Sequence, residues 1–239
     1  MKNSDTRNFK HKLLYEMKDG KFASCERLPR ETELAEMLGI SRTQLRDTLS
    51  ELEREGYITR RHGVGTVINR HVLQVTNRMD MEVEFFEIIR NCGCTPDVRV
   101  VWMGEAPADA HVAGKLAIHE GDTVLCKCSV CYADGAPVIC WTDVLAKALV
   151  KSDYTEADFG GLIFDFLRNF CNVNAYMDLT QLRAVCADAP LAERLGVAVG
   201  TPLLNMEEVD FDIEGKPVFY SDQYFTDGPI QHTVLRKKL

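Results

Sequence analysis

Apolar residues recur at helical spacing through the first quarter of the chain and at strand spacing through most of the remainder. Phe9, Leu13, Leu14 and Met17 mark the buried face of a first helix that ends near Gly20. Two short helices joined by a glycine turn follow. The second starts at Ser41, with Gln44 three residues on, the arrangement in which side chain and backbone cap each other at a helix start. Leu45, Leu49 and Leu52 then share one face, which leaves Arg42, Thr43 and Arg46 near the other. Gly56 sits where a left-handed residue closes a helix, and Gly63 and Gly65 mark the tip of a small two-stranded wing.

Past about Asn69 the pattern changes. Residues 70–77 are polar and β-leaning, a linker or a shared strand; residues 81–90 read as a helix stopped by Gly93-Cys94-Thr95-Pro96. Strand character follows over 98–103, then a short helix over 108–117. Next comes a hairpin, 123–132 with 137–143, turned at Ala133-Asp134-Gly135. Residues 162–170 predict a helix, 176–186 a strand and 190–195 a short helix ending at Gly196. A second hairpin, 203–213 with 218–225, turns at Glu214-Gly215-Lys216. No internal repeat, coiled coil or low-complexity tract stands out. The expected class is α+β: a winged helix-turn-helix followed by an antiparallel sheet with flanking helices.

A chain of 239 residues suits two domains. Its net charge of −8 divides unevenly: residues 1–70 hold 14 Lys and Arg against 11 Asp and Glu, and the rest hold 14 against 25. The basic surplus lies where a duplex would be met, and the acidic remainder repels one. No apolar run approaches the roughly 20 residues of a membrane span, and the start lacks an apolar signal core, so the expectation is a cytoplasmic protein. The nine cysteines then belong to a reducing compartment rather than to a disulfide framework.

The stretch from Leu28 to Thr66 resembles the winged helix-turn-helix of GntR-family bacterial transcription regulators. The resemblance implies an operator double-stranded DNA partner and assigns DNA contacts to Arg42, Thr43, Arg46 and Gly63, with Ser41, His62, Gly65 and Thr66 beside them. The family's usual arginine before the E-L-A segment is Thr32 here, and Arg30 is the nearest replacement. The same residues also fit a plain helical pair with a solvated charged face.

The second half resembles the UTRA effector-binding domain of the HutC-type subfamily. The match rests on Ala133-Asp134-Gly135-Ala136-Pro137-Val138, Ala192-Glu193-Arg194-Leu195-Gly196, Gly200-Thr201-Pro202-Leu203-Leu204 and Gly215-Lys216-Pro217-Val218. It implies a chorismate-lyase-like sheet, a small-molecule effector and a homodimer. The expected boundaries are 1–70 for the reader, 71–80 for a linker and 81–239 for the sensor. Sugar-phosphate-sensing relatives carry two arginines where this chain has Ser129 and Cys131; Lys127 is the nearby cation, and Trp141 stands at a family glutamate position. Glu207, Tyr220 and Tyr224 match further pocket positions. These seven residues form the expected effector site, suited to a small acid, amine or amino-acid-like metabolite rather than to a phosphate ester. Trp141 and the tyrosines equally fit a packed core.

Cys126, Cys128 and Cys131 form C-x-C-x-x-C, but strand alternation sends the third the opposite way from the first two, and no second zinc-type pair follows. No cofactor and no metal site is expected. A metal- or thiol-responsive regulator on the same scaffold is the alternative reading. No nucleophile elbow, phosphate loop or acid/base pair suggests an enzyme. The expected function is a DNA-binding transcription regulator, a repressor released by a metabolite.

Overall fold

The computed structural model describes residues 2–81 and 83–237. The chain forms two compact units: residues 1–82 together with 231–239, and residues 83–230.

The first unit contains α1 (Lys2–Lys18), α2 (Glu31–Leu38), α3 (Arg42–Arg54), the antiparallel pair β1 (Ile58–Arg61) and β2 (Gly65–Ile68), and a one-turn α4 (Arg70–Leu73). Leu13, Met17, Leu34, Leu45, Leu49 and Leu52 are shielded from water and pack into one core. Each such side chain contributes about 1.5–3 kcal/mol by leaving water. Gly39, left-handed at φ +67°, ends α2. The capping box at the start of α3 is complete: the Gln44 amide donates to Ser41 Oγ and the Ser41 amide to Gln44 Oε1.

The expected linker at 71–80 is corrected here. Residue 70 begins α4, and the Arg70 guanidinium donates to the carbonyls of Met17, Phe22 and Cys25, which binds this stretch to the reader core. Residues 231–237 also belong to the first unit, although the expected sensor boundary placed them in the second.

The second unit begins with α5 (Phe85–Asn91), shorter than the helix expected over 81–90. Then come β3 (Pro96–Pro107), α6 (Ala110–Leu116), β4 (Thr123–Ala133), β5 (Ala136–Ala146), α7 (Glu156–Gly160), α8 (Ile163–Phe166), β6 (Met177–Cys186), α9 (Ala189–Leu195), β7 (Pro202–Phe211) and β8 (Pro217–Phe225). The six strands form one antiparallel sheet in the order β3-β4-β5-β8-β7-β6. Asp134 and Gly135, at φ +51° and +84°, make the tight β4–β5 turn that a right-twisted hairpin requires. After α8 the chain widens into a π-helical turn, Leu167–Cys171, in place of the single α-helix expected over 162–170. The sequence patterns did not reveal α7.

The expectation of no internal repeat is overturned. β3-α6-β4-β5 and β6-α9-β7-β8 are two copies of one motif, set side by side so that β5 pairs with β8. Asp109 and Asp188 cap α6 and α9 in the same way, each accepting from the amide three residues on. The Ala108 amide donates to Asp122 O, the Gly121 amide to Ala108 O, and the Ala187 and Gly200 amides repeat both bonds with Thr201 O and Ala187 O. The duplication lies in this backbone frame and in the residues that build it: an Ala-Asp step, a later Gly, and the buried Ala113 and Leu116 of α6 repeated as Ala192 and Leu195 of α9.

Candidate nucleic-acid interface and ligand-binding face

In the reader, Ser41, Arg42, Thr43 and Arg46 are all exposed on the first turns of α3. The back of that helix is locked by Leu45, Leu49 and Leu52, so the guanidiniums project from a rigid base. Arg46 is not free: its Nε donates to Glu31 Oε2 at 2.9 Å. Arg30 is exposed directly before α2. His62, Gly63 and Gly65 stand exposed at the wing tip and Thr66 is half-buried. The two glycines adopt φ of +75° and +96°.

Strand pairing divides the seven expected effector residues between the two faces of the sheet. Ser129 lies opposite Trp141, Lys127 opposite Asp143, and Trp141 opposite Gln223, so Lys127, Ser129, Cys131 and Trp141 share one face. Tyr220 lies opposite Val144, Tyr224 opposite Cys140 and Glu207 opposite Asp222, which puts all three on the other face. The single site expected for these seven residues is corrected to two separate clusters.

On the first face, Lys127 and Asp143 form a buried ion pair, Nζ to Oδ2 3.4 Å. The Trp141 indole N–H donates to Asp143 Oδ2 at 3.1 Å, the Ser221 hydroxyl to Oδ1 at 3.0 Å, and Lys127 also donates to Gly161 O at 2.8 Å. Burial pushes the Asp143 carboxyl upward, and Lys127, Ser221 and Trp141 oppose that push. α5 covers this place: the Phe85 ring meets Trp141 edge-on at 5.0 Å and Phe225 at 6.0 Å. Glu84, one residue earlier, is held above the usual carboxylate range by burial and then by Asp165 and Asp143. Asp143, Ser221, Phe85 and Glu84 were missed from the sequence.

On the opposite face, Glu207 collects Lys115 at 3.4 Å, Arg183 at 3.0 Å, His111 at 3.1 Å and the Tyr220 hydroxyl at 3.2 Å. Burial works to raise the Glu207 carboxyl; Lys115, Tyr220 and Arg183 together outweigh it and hold it below its usual value. The Tyr224 hydroxyl donates to Asp222 Oδ2 at 2.7 Å. Glu207 is thus already supplied with cations, which argues against its expected role as receptor of a ligand amine.

Cys126, Cys128 and Cys140 also lie on the opposite face and Cys131 on the first. Among the described residues, no group of three or more His, Cys, Asp or Glu is arranged to hold a metal. Cys128 shares a hydrogen bond with Cys140, which with Thr142 and Arg194 brings its thiol down to about 6; the same bond and burial push Cys140 far up. Burial, with a smaller push from Asp97 and against a backbone hydrogen bond from Tyr132, raises the Cys131 thiol to about 11.

A capped recognition helix with exposed guanidiniums, a glycine-tipped wing and a duplicated antiparallel sheet define a two-unit DNA-binding regulator. The family models agree: residues 6–68 match the gntR family of bacterial regulatory proteins and residues 91–227 match the UTRA domain. The chain belongs to the GntR family and carries a UTRA domain, in the HutC-type arrangement. It is a DNA-binding transcription regulator and not an enzyme.

The chain is 28% identical over 200 residues to an HTH-type transcriptional regulator of Mycobacterium tuberculosis, covering 80% of this chain and 71% of that one. It is 24% identical over 218 residues to the HTH-type transcriptional repressor NagR of Bacillus subtilis, covering 89% and 88%. The crystal structure of YydK from Bacillus subtilis superposes with a TM-score of 0.80 at 17% identity, over 97% of this chain and 99% of that one. Among the described residues no helix is long and apolar enough to cross a membrane.

Proposed function

We propose that the chain is a cytoplasmic homodimeric repressor whose hold on a near-palindromic operator is released by a small, non-phosphorylated metabolite at the sheet face carrying Ser129 and Trp141. One observation carries the choice of ligand class. Lys127 is the only cation on β4 and β5, and Asp143 already neutralises it. Ser129 and Cys131 add no charge, so a phosphate dianion meets no bidentate donor there. Trp141, Phe85 and the exposed Glu84 suit a partly apolar ligand with a hydroxyl or amine. Such a ligand must displace Phe85 from Trp141, which ties binding to a change of conformation.

Repression is supported by the name of the NagR relative, a transcriptional repressor. The exposed guanidiniums of α3 and the glycine-tipped wing support a reading in which two associated copies set two recognition helices on two half-sites, with the wings on phosphates. Calorimetry with glucosamine-6-phosphate against non-phosphorylated amines, amino acids and hydroxy acids tests the ligand class. Micromolar binding of the phosphosugar defeats it.

A second reading, a thiol-responsive regulator, is favoured by the placing of Cys128 and Cys140 in one buried cluster on adjacent strands. Operator affinity measured before and after mild peroxide, in wild type and Cys128→Ser, separates the two.

A further inference from the structure

The C-terminal end of α3 is held from two directions. Arg78, only 6% exposed, donates from Nη1 to the Glu55 carbonyl at 2.6 Å, and its guanidinium lies 5.1 Å from the Tyr57 ring centre. Lys237 donates from Nζ to the Glu53 and Arg54 carbonyls at 2.6 and 2.7 Å. These carbonyls belong to the last turn of α3, where the regular i+4 donors run out, and cations suit them. Leu235 packs so tightly on Gly56 that a Cβ there would stand 2.4 Å from its Cδ2.

The two holding segments are also bonded to each other. Arg78 and Thr233 form a parallel bridge, the Met79 amide donates to Thr233 O at 2.9 Å, and the Leu235 amide donates to Asp80 Oδ1 at 3.4 Å. Asp80 in turn grips the Arg78 guanidinium. Asn77 and His232 add a contact of 3.4 Å between Nδ2 and Nδ1.

We propose that Arg78, Leu235 and Lys237 are positioning residues for DNA reading: residues 77–81 and 231–237 form a paired strap that fixes the recognition helix to both chain crossings of the sensor unit. The crossings fall at 82/83 and 230/231. Each leads, within a few residues, to one of the two rings that touch in front of Trp141. Phe85 opens α5 just after the first crossing, and Phe225 ends β8 just before the second. The chain segments next to Phe85 and Phe225 are therefore continuous with the two segments bonded to the end of α3, and a paired strap holds that end more firmly than a single slack linker does.

The inference rests on the proposed reading of paired half-sites, and its test separates the two. Full-length wild type and Leu235→Ala/Lys237→Ala are each used to select duplexes from a random pool, and bound sequences are scored for half-site sequence and for half-site spacing. Wild type is expected to enrich one spacing. The variant is expected to keep the half-site sequence and accept several spacings, with discrimination between them reduced about tenfold through loss of fixed geometry. Hydrogen exchange at the amides of Gly56 and Tyr57 should quicken in the variant while the Leu45 and Leu49 amides stay protected. Should the double variant lose all sequence-specific binding, Lys237→Gln is read in its place, and relaxed spacing is again required. Unchanged spacing selectivity in a folded variant overturns the strap. Wild type enriching only isolated half-sites overturns the paired reading instead, and the exchange result alone then decides whether the strap holds α3.

Discussion

Lys127 and Asp143 face each other across the β4–β5 hairpin only because the register steps by one residue between Cys131 and Tyr132. Counted straight from the turn, where Ala133 pairs with Ala136, Lys127 would stand opposite Thr142 and Asp143 would point to the other face. The step turns a lone cation into a neutral pair and removes the anion site that Lys127 by itself would offer.

Removing one partner leaves a buried charge without compensation. Lys127→Met should destabilise the protein by about 3–5 kcal/mol in urea denaturation, and adding Asp143→Leu should restore much of that loss. Strictly additive losses would show that the two groups do not depend on each other.

Arg42→Ala should cost on the order of 1–3 kcal/mol of operator affinity, as expected for a base or phosphate contact. Arg46 must exchange Glu31 for DNA, and that exposed pair is itself worth no more than about 1 kcal/mol. Arg46→Ala should therefore also weaken binding, whereas Glu31→Gln should tighten it. Fluorescence anisotropy across a salt series checks all three, and a phosphate contact lowers the salt slope by about one when removed. Full affinity in Arg42→Ala and Arg46→Ala alike would remove both from the interface.

At Gly63 the backbone is at φ +75° with no neighbour within 4 Å of an added Cβ, so the obstacle to a side chain is backbone strain and not crowding. Gly63→Val should weaken binding of every duplex alike, by about 1–3 kcal/mol, without changing base preference. A shifted base preference in a binding-site selection would mean that the wing reads sequence.

Burial lowers the His232 pKa below 6.5. A histidine kept neutral in the fold contributes stability that is present above its unfolded pKa and lost as pH falls through the folded value. Protection of the Gly56 and Tyr57 amides should therefore hold between pH 8 and about 6.5 and decline below that. His232→Gln should flatten the decline. Equal acid sensitivity in that variant would place the titrating group elsewhere.

The reader was legible in local chemistry. Ser41 with Gln44, the leucines of α3 and the wing glycines each act within a few residues of their own position. The hairpin turns at Asp134-Gly135 and Glu214-Gly215 were legible for the same reason. Distribution across the sheet was not. Alternation fixes faces within one strand, but placing Glu207 relative to Ser129 requires the pairing β4-β5-β8-β7 through two bulges. The strap was hidden by distance along the chain, since Lys237 meets Glu53 across most of the sequence. The duplication is carried by Ala108, Asp109, Ala113, Leu116 and Gly121, repeated at the same spacing as Ala187, Asp188, Ala192, Leu195 and Gly200; it was hidden because the strands around these residues differ in sequence.

Selection of bound duplexes from a random pool by the full-length chain tests the central claim most directly. The account predicts enrichment of two inverted half-sites at one spacing, with enrichment weakened in Arg42→Ala and retained in Lys127→Met where that variant is folded. Failure of the wild-type protein to enrich any sequence would contradict it.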